Sequence, residues 1–143
     1  MTDIEKSQIL AFLHQEQVNF ATYNHIEMTD VGDGWAKARL ALRPESLNVW
    51  HIPHGGVLFT LADMVTGTAA FSLRREPCLT VQSNMDFLSA AERDGVIYAE
   101  GKVLRSGRKL CFCEAELTDS HGTLLAKASA VLRFSGQPLD LTK

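Results

Sequence analysis

Residues 55–73 read GGVLFTLADMVTGTAAFSL, and this stretch decides the architecture. Leu58, Leu61, Ala62, Val65, Ala69 and Leu73 recur at steps of three and four, the period of a helix that buries one face. The spacing predicts one long helix that begins at Gly55-Gly56. Asp63, Thr66, Gly67 and Ala70 share its other stripe, which is small and polar. Helix propensity disfavours an aspartate in mid-helix, so Asp63 asks for a reason.

Upstream, Arg43 to Pro53 holds two prolines and no apolar period, which predicts a surface loop. Before it, Ala36, Ala38, Leu40 and Leu42 alternate with Trp35, Lys37, Arg39 and Ala41. This predicts a hairpin between Tyr23 and Leu42, turning around Asp30 to Gly34. Thr2 and Glu5 have the spacing of a capping box. With Ile4, Ile9, Leu10, Phe12 and Leu13 they predict a short first helix ending near Val18 to Phe20.

Downstream lie four strand-like runs. Leu79, Val81, Met85 and Phe87 alternate with Thr80, Gln82, Asn84 and Asp86, and a second run spans Val96 to Leu104. Cys111, Cys113, Ala115 and Leu117 alternate with Phe112, Glu114 and Glu116. Leu124, Ala126, Ala128, Ala130, Leu132 and Phe134 form the clearest period-two face. Arg93-Asp94-Gly95, Ser106-Gly107 and Ser120-His121-Gly122 supply turn residues, so a β-meander is expected. The order predicts an α+β single domain over residues 1–143, an antiparallel sheet wrapped around one long helix. Its outer face and edges would remain open to self-association.

The 143 residues are 45% hydrophobic and 22% charged with a net charge of −3, enough for one core and without the basic surface a nucleic-acid partner needs. MTDIEKSQIL is not a basic stretch followed by an apolar run, and no later window reads as a membrane span. The expectation is a soluble cytoplasmic protein with no membrane partner. Three cysteines without metal-ligand spacing argue against structural zinc and a disulfide frame. Cys111 and Cys113, two apart, are expected to be small core residues on one strand face.

Gly55 and Gly56 occupy a helix N-terminus, where unpaired N–H groups and the positive dipole end face outward. Glycine there lets a substrate carbonyl approach the backbone, and such an oxyanion donor is worth about 10²–10³ in rate. Asp63, two turns on, is a carboxylate fit to act as base or nucleophile, activating a water or attacking a carbonyl directly. Arg105, Ser106, Gly107, Arg108 and Lys109 form a basic turn able to hold phosphates, although charged turns also keep strand edges soluble. Arg74 and Arg75 complement the helix dipole and are given no functional role.

Asn48 to Thr68, NVWHIPHGGVLFTLADMVTGT, resembles the hotdog-fold acyl-CoA thioesterases of the phenylacetate-pathway (PaaI-like) type. The resemblance is carried by a loop asparagine, then H-G-G, then L-A-D eight or nine residues on. It extends over the order of elements, including NMDFL and VLRSGRK. It implies a hotdog fold and hydrolysis of an acyl-CoA to free acid and CoA with no cofactor and no metal. By the resemblance, the Gly55 N–H is the oxyanion donor beside Gly56, and Asp63 is the catalytic carboxylate. Thr66 positions Asp63 or the water, His54 and Asn48 orient the carbonyl or the water, and residues 105–109 hold the CoA phosphates or pantetheine arm. It further implies a homodimer or dimer of dimers with the active site at the interface, where Asn48 and Asp63 come from different protomers. Phe59, Met64, Met85 and Phe87 are candidates for the acyl wall. A non-catalytic acyl-CoA binding protein is the alternative, and a hotdog hydratase a third. A pure binder has no need for a carboxylate beside an oxyanion donor, and a hydratase needs an acid–base pair at the β-carbon.

Overall fold

The computed structural model describes residues 1–142. Helix α1 (Asp3–Leu13) opens with the expected capping box: Glu5 N–H donates to Thr2 Oγ1 at 3.2 Å, and Thr2 N–H to Glu5 Oε2 at 2.7 Å. It stops five residues earlier than the sequence suggested. His14 to Gln17 are polar and bring nothing back to the buried face, and Asn19 instead caps a separate single turn, α2 (Phe20–Tyr23).

Strands β1 (Glu27–Gly32) and β2 (Trp35–Ala41) form the hairpin, with the turn confined to Asp33-Gly34 and Gly34 at φ +75°. The segment from Arg43 to Pro53 holds a 3₁₀ turn at Pro44–Ser46, and its ends are bridged at Leu47 and Pro53. Helix α3 (Gly55–Arg74) follows, then β3 (Cys78–Phe87), β4 (Val96–Ser106), β5 (Leu110–Thr118) and β6 (Leu124–Phe134). All pairings are antiparallel, in the order β1-β2-β4-β5-β6-β3. This is the α+β hotdog arrangement, one sheet around one long helix.

Two expectations need correction. Only β4, β5 and β6 form a meander, because β3 lies at the far edge beside β6. The β3–β4 link spans eight residues, 88–95, which reach about 26 Å, whereas three strand spacings are about 14 Å. The link is long enough to cross, and the tight turns after β4 and β5 are not. Second, the even alternation along β3 is broken. Cys78–Thr80 pair with Leu132–Phe134, but Gln82 pairs with Val131, leaving Val81 as a bulge. Thr80 thereby shares the helix-facing side with Ser83, Met85 and Phe87, and Leu79 shares the outer side with Gln82 and Asn84.

Helix α3 buries Leu58, Leu61, Ala62, Val65 and Ala69 against Ala36, Ala38, Leu40, Ile97, Ala99, Ala115 and Leu117. Gly101 permits the closest approach: a Cβ there would stand 2.6 Å from the backbone carbonyl of Val65. The sheet wraps more of the helix than one stripe, so Thr66 and Ala70 are buried too, whereas Leu73 is partly exposed. Ala70 packs with Cys111, Cys113, Ala130, Leu132 and Phe134, which places both cysteines in the core as expected. Outside, α1 stacks Phe12 on Phe71 with ring centroids 5.8 Å apart. The reading that no window approaches a membrane span is also corrected. Gly55–Arg74 is long and apolar enough by composition, with hydropathy 1.4, but 56% of that window is buried in this core.

Candidate active site

The first turn of α3 is capped by His54, whose Nδ1 accepts the Gly56 N–H at 2.9 Å, so a neutral ring carries its proton on Nε2. Val57 N–H donates to His54 O at 2.9 Å. The Gly55 N–H has no acceptor among the described residues and points from a half-buried position. Asn48 stands beside it. Its Oδ1 accepts from Trp50 N–H at 2.9 Å and Ile52 N–H at 3.4 Å, an Asx turn that fixes the amide orientation. The Asn48 Nδ2 donors are left without an acceptor among the described residues. Asn48 and Gly55 line one groove of about 360 Å³ with Leu58, Phe87 and Leu88. Two residues with unused N–H donors therefore line one largely apolar groove, an arrangement suited to a carbonyl oxygen that gains negative charge.

Asp63 is exposed and lies in a different groove, of about 420 Å³, with Phe59, Met64, Thr80 and Val81. Thr80 Oγ1 donates to Asp63 Oδ1 at 2.7 Å. This partner was missed in the sequence, where a threonine in a strand reads as a strand former. The bulge at Val81 is what turns it toward the helix. Asp63 Oδ2 remains free of any protein donor among the described residues, as a base or nucleophile requires.

The other candidates separate. Thr66 is corrected: it is 1% exposed, and its hydroxyl donates to Ala62 O at 2.8 Å and Asp63 O at 3.2 Å, the helix's own carbonyls, leaving nothing for the Asp63 carboxylate. Along α3, Asp63 follows Gly55 by eight residues, about 12 Å at 1.5 Å per residue. A reacting carbonyl must lie about 3 Å from both the oxyanion donor and the attacking nucleophile, a span much shorter than the separation of Gly55 and Asp63 along one helix. The basic turn stands at the other end of the helix. Arg105, Ser106, Arg108 and Lys109 are exposed there around Gly107. Arg74, given no role from sequence, builds this turn: Nη1 donates to Arg108 O at 2.9 Å, Nη2 to Gly107 O at 2.5 Å, and its guanidinium lies 4.2 Å from the Phe134 ring centroid.

The profile of a family described as the thioesterase superfamily matches residues 52–126, more than half of the chain. The chain belongs to the thioesterase superfamily. Among solved structures, it resembles a hypothetical thioesterase of Streptococcus pneumoniae TIGR4 crystallised with coenzyme A. The two are 30% identical with a TM-score of 0.75, over 80% of this chain and 88% of that one. The PaaI protein of the phenylacetic acid degradation operon of E. coli shares the fold at 20% identity, with a TM-score of 0.85 over 94% of this chain and 99% of that one. A protein of Archaeoglobus fulgidus, only provisionally named an esterase, is 27% identical over 103 residues, which are 72% of this chain and 66% of that protein, just under two thirds of its length.

Proposed function

We propose that this thioesterase hydrolyses an acyl-CoA to the free acid and CoA at sites each built from two copies of the chain. The carrying observation is that two unpaired donors, Gly55 N–H and Asn48 Nδ2, stand about 12 Å along one helix from a carboxylate with a free oxygen, Asp63. A second copy supplies the missing half of each site. The open edge of β3 supports this reading, since Leu79 and Val81 are 75% and 61% exposed beside the Asp63 groove and the strand's outward hydrogen-bonding groups are unused.

The thioester oxygen sits between Gly55 N–H and Asn48 Nδ2 of one copy. Asp63 of the other takes a proton from water as the water oxygen attacks the carbonyl carbon. The tetrahedral oxyanion is held by the two donors, and its collapse breaks the C–S bond while the proton on Asp63 passes to the thiolate. Direct attack by Asp63, giving a mixed anhydride that water then opens, yields the same products. Thr80 holds one carboxylate oxygen so that the other faces the substrate. His54 fixes the first turn that aims Gly55, and Gly56 leaves the approach open. Arg105, Ser106, Arg108 and Lys109, shaped by Arg74 around Gly107, take the CoA phosphates.

The test is thiol release from aromatic and aliphatic acyl-CoAs by wild type and Asp63→Asn, which keeps an acceptor for Thr80 while removing the charge. The variant is expected to fall by about 10²–10⁴. Near-normal turnover in the variant would sink the mechanism. Binding of acyl-CoA without thiol release by either protein would leave a non-catalytic acyl-CoA binding protein instead.

A further inference from the structure

We infer that the acyl group is seated in a cavity beneath α2, which restricts this thioesterase to short and medium acyl groups; the inference rests on the thioesterase reading above. The cavity, about 230 Å³, has an apolar side of Ile26, Leu40, Leu47 and Val57 and a polar side that includes Glu45 and His54, with Phe20 and Thr60 at its mouth. Ile26 and Leu40 are buried, so its floor is the core itself.

Its position relative to the chemistry carries the argument. Phe20 and Thr60 line this cavity and also the groove in which Asp63 meets Thr80, so the two spaces share a doorway. Thr60 spends its hydroxyl on Gly56 O at 2.9 Å and has its methyl left to offer the passage. Val57, Thr60 and Asp63 follow one another at three-residue steps along one side of α3, and the basic turn stands beyond Asp63 near the helix C-terminus. A thioester lying along this line with its carbonyl at Asp63 has one end at the cations and the other at the cavity, where the Ile26, Leu40, Leu47 and Val57 side can take hydrocarbon. The phosphates of CoA choose the cations, which sends the acyl group under α2.

Size follows from volume. The cavity is smaller than the roughly 300–1,000 Å³ typical of pockets for drug-sized ligands, so a short or medium acyl group fits it and a long chain does not. Its roof is light. Helix α2 is four residues long, buries none of them, and leaves the Phe20 ring 69% exposed at the doorway, where it gains cover once the cavity is filled. A long chain must displace that ring.

The experiment measures kcat/KM of the full chain for acetyl-, hexanoyl-, octanoyl-, benzoyl- and palmitoyl-CoA. Wild type is expected to favour hexanoyl-, octanoyl- or benzoyl-CoA and to decline steeply at palmitoyl-CoA. Val57→Phe fills the cavity and should lower the octanoyl-to-acetyl ratio at least tenfold, the scale of a few methylenes excluded from an apolar pocket. Phe20→Ala, on an exposed turn where folding is not at stake, should raise the palmitoyl-to-octanoyl ratio. The inference is overturned by a wild-type preference for palmitoyl-CoA, by a Phe20→Ala ratio equal to wild type, or by Ala90→Phe in the Asn48 groove moving the octanoyl ratio while Val57→Phe does not. A wild type that releases thiol from no member of the panel fails the thioesterase reading itself, and the acyl placement falls with it.

Discussion

Replacing Gly55 with proline removes one hydrogen atom from the proposed site and very little from the fold. Gly55 is the first residue of α3, a position proline tolerates because its N–H is unpaired in the helix anyway. The preceding His54 has φ −64° and ψ 137°, the extended geometry that a residue before proline prefers. No hydrogen bond is lost, since the Gly55 N–H has no acceptor among the described residues. A Cβ at this position would lie 3.3 Å from Phe87 Cε1, the edge of an exposed ring that can yield by a few tenths of an ångström. Gly55→Pro should therefore melt within about 3 °C of wild type, under 1 kcal/mol for a chain of this size. If the N–H stabilises a tetrahedral oxyanion, however, kcat should fall by about 10²–10³, or about 2.7–4 kcal/mol. Gly55→Ala introduces the same contact with Phe87 but keeps the N–H, and should stay within about threefold of wild type, under 1 kcal/mol. Initial rates of thiol release, paired with thermal melts, read both quantities. A folded Gly55→Pro with wild-type kcat refutes the oxyanion role. Equal losses in the alanine and proline variants would assign the effect to crowding at Phe87.

Three further outcomes are expected. Thr80→Val removes the 2.7 Å hydrogen bond to Asp63 and should cost about 1.5–3 kcal/mol in kcat, roughly tenfold or more, while Thr80→Ser retains most of the rate; equal rates in all three proteins would remove Thr80 from the site. Gly101→Ala would drive a Cβ to 2.6 Å from Val65 backbone atoms and 2.9 Å from Thr66 N, so an overpacking cost of about 3 kcal/mol and a melting temperature lower by about 10 °C are expected, and an unchanged melt contradicts the helix–sheet contact. In acid, α1 should loosen first. Asp30 is held below the ordinary carboxylate value chiefly by its hydrogen bond from Lys6, and Glu5 chiefly by the Thr2 backbone N–H. A carboxylate with a lowered folded-state value stabilises above its unfolded value and loses that contribution as pH falls below about 4. Amide exchange in α1 should accelerate across that window more than in α3, and Asp30→Asn should flatten the difference.

Sequence reasoning located what depends on local period. The three- and four-residue steps from Leu58 to Ala69 gave α3, and the alternation from Leu124 to Phe134 gave β6, because each pattern is buried against a single partner layer. Pairing across the chain left no such mark. Nothing in Cys78 to Phe87 tells a far-edge strand from a meander strand, and a bulge at Val81 is invisible where every neighbour is a plausible strand residue. Gly101, inside the run from Val96 to Leu104, was a readable sign of close approach, since a strand interior gains nothing else from glycine. For the site, H-G-G and L-A-D fall on one helix, where the Gly55 N–H and Asp63 Oδ2 have no protein partner among the described residues. Helical spacing also set Thr66 next to Asp63, but spacing cannot tell how far around the helix the sheet wraps. Thr80 depended on a non-local register and could be found only in three dimensions.

The extra residue in β3 also sets the phase of the strand. Residues 78–80 and 82–87 keep separate counts of inward and outward, offset by one at Val81. Deleting Val81 would leave Thr80 and Gln82 on opposite faces, as they already are. Drawing Val81 into the ladder, with the bulge flattened, would not merely straighten the edge; it would force one half to rotate by half a turn about the strand axis. The half beside Met85 is anchored in the core, so the segment from Cys78 to Thr80 would turn over. Leu79 would face α3, and the Thr80 hydroxyl would face solvent. Deletion of Val81 should therefore keep the Thr80 contact to the helix, while any change that pairs Val81 in the ladder should switch that contact off.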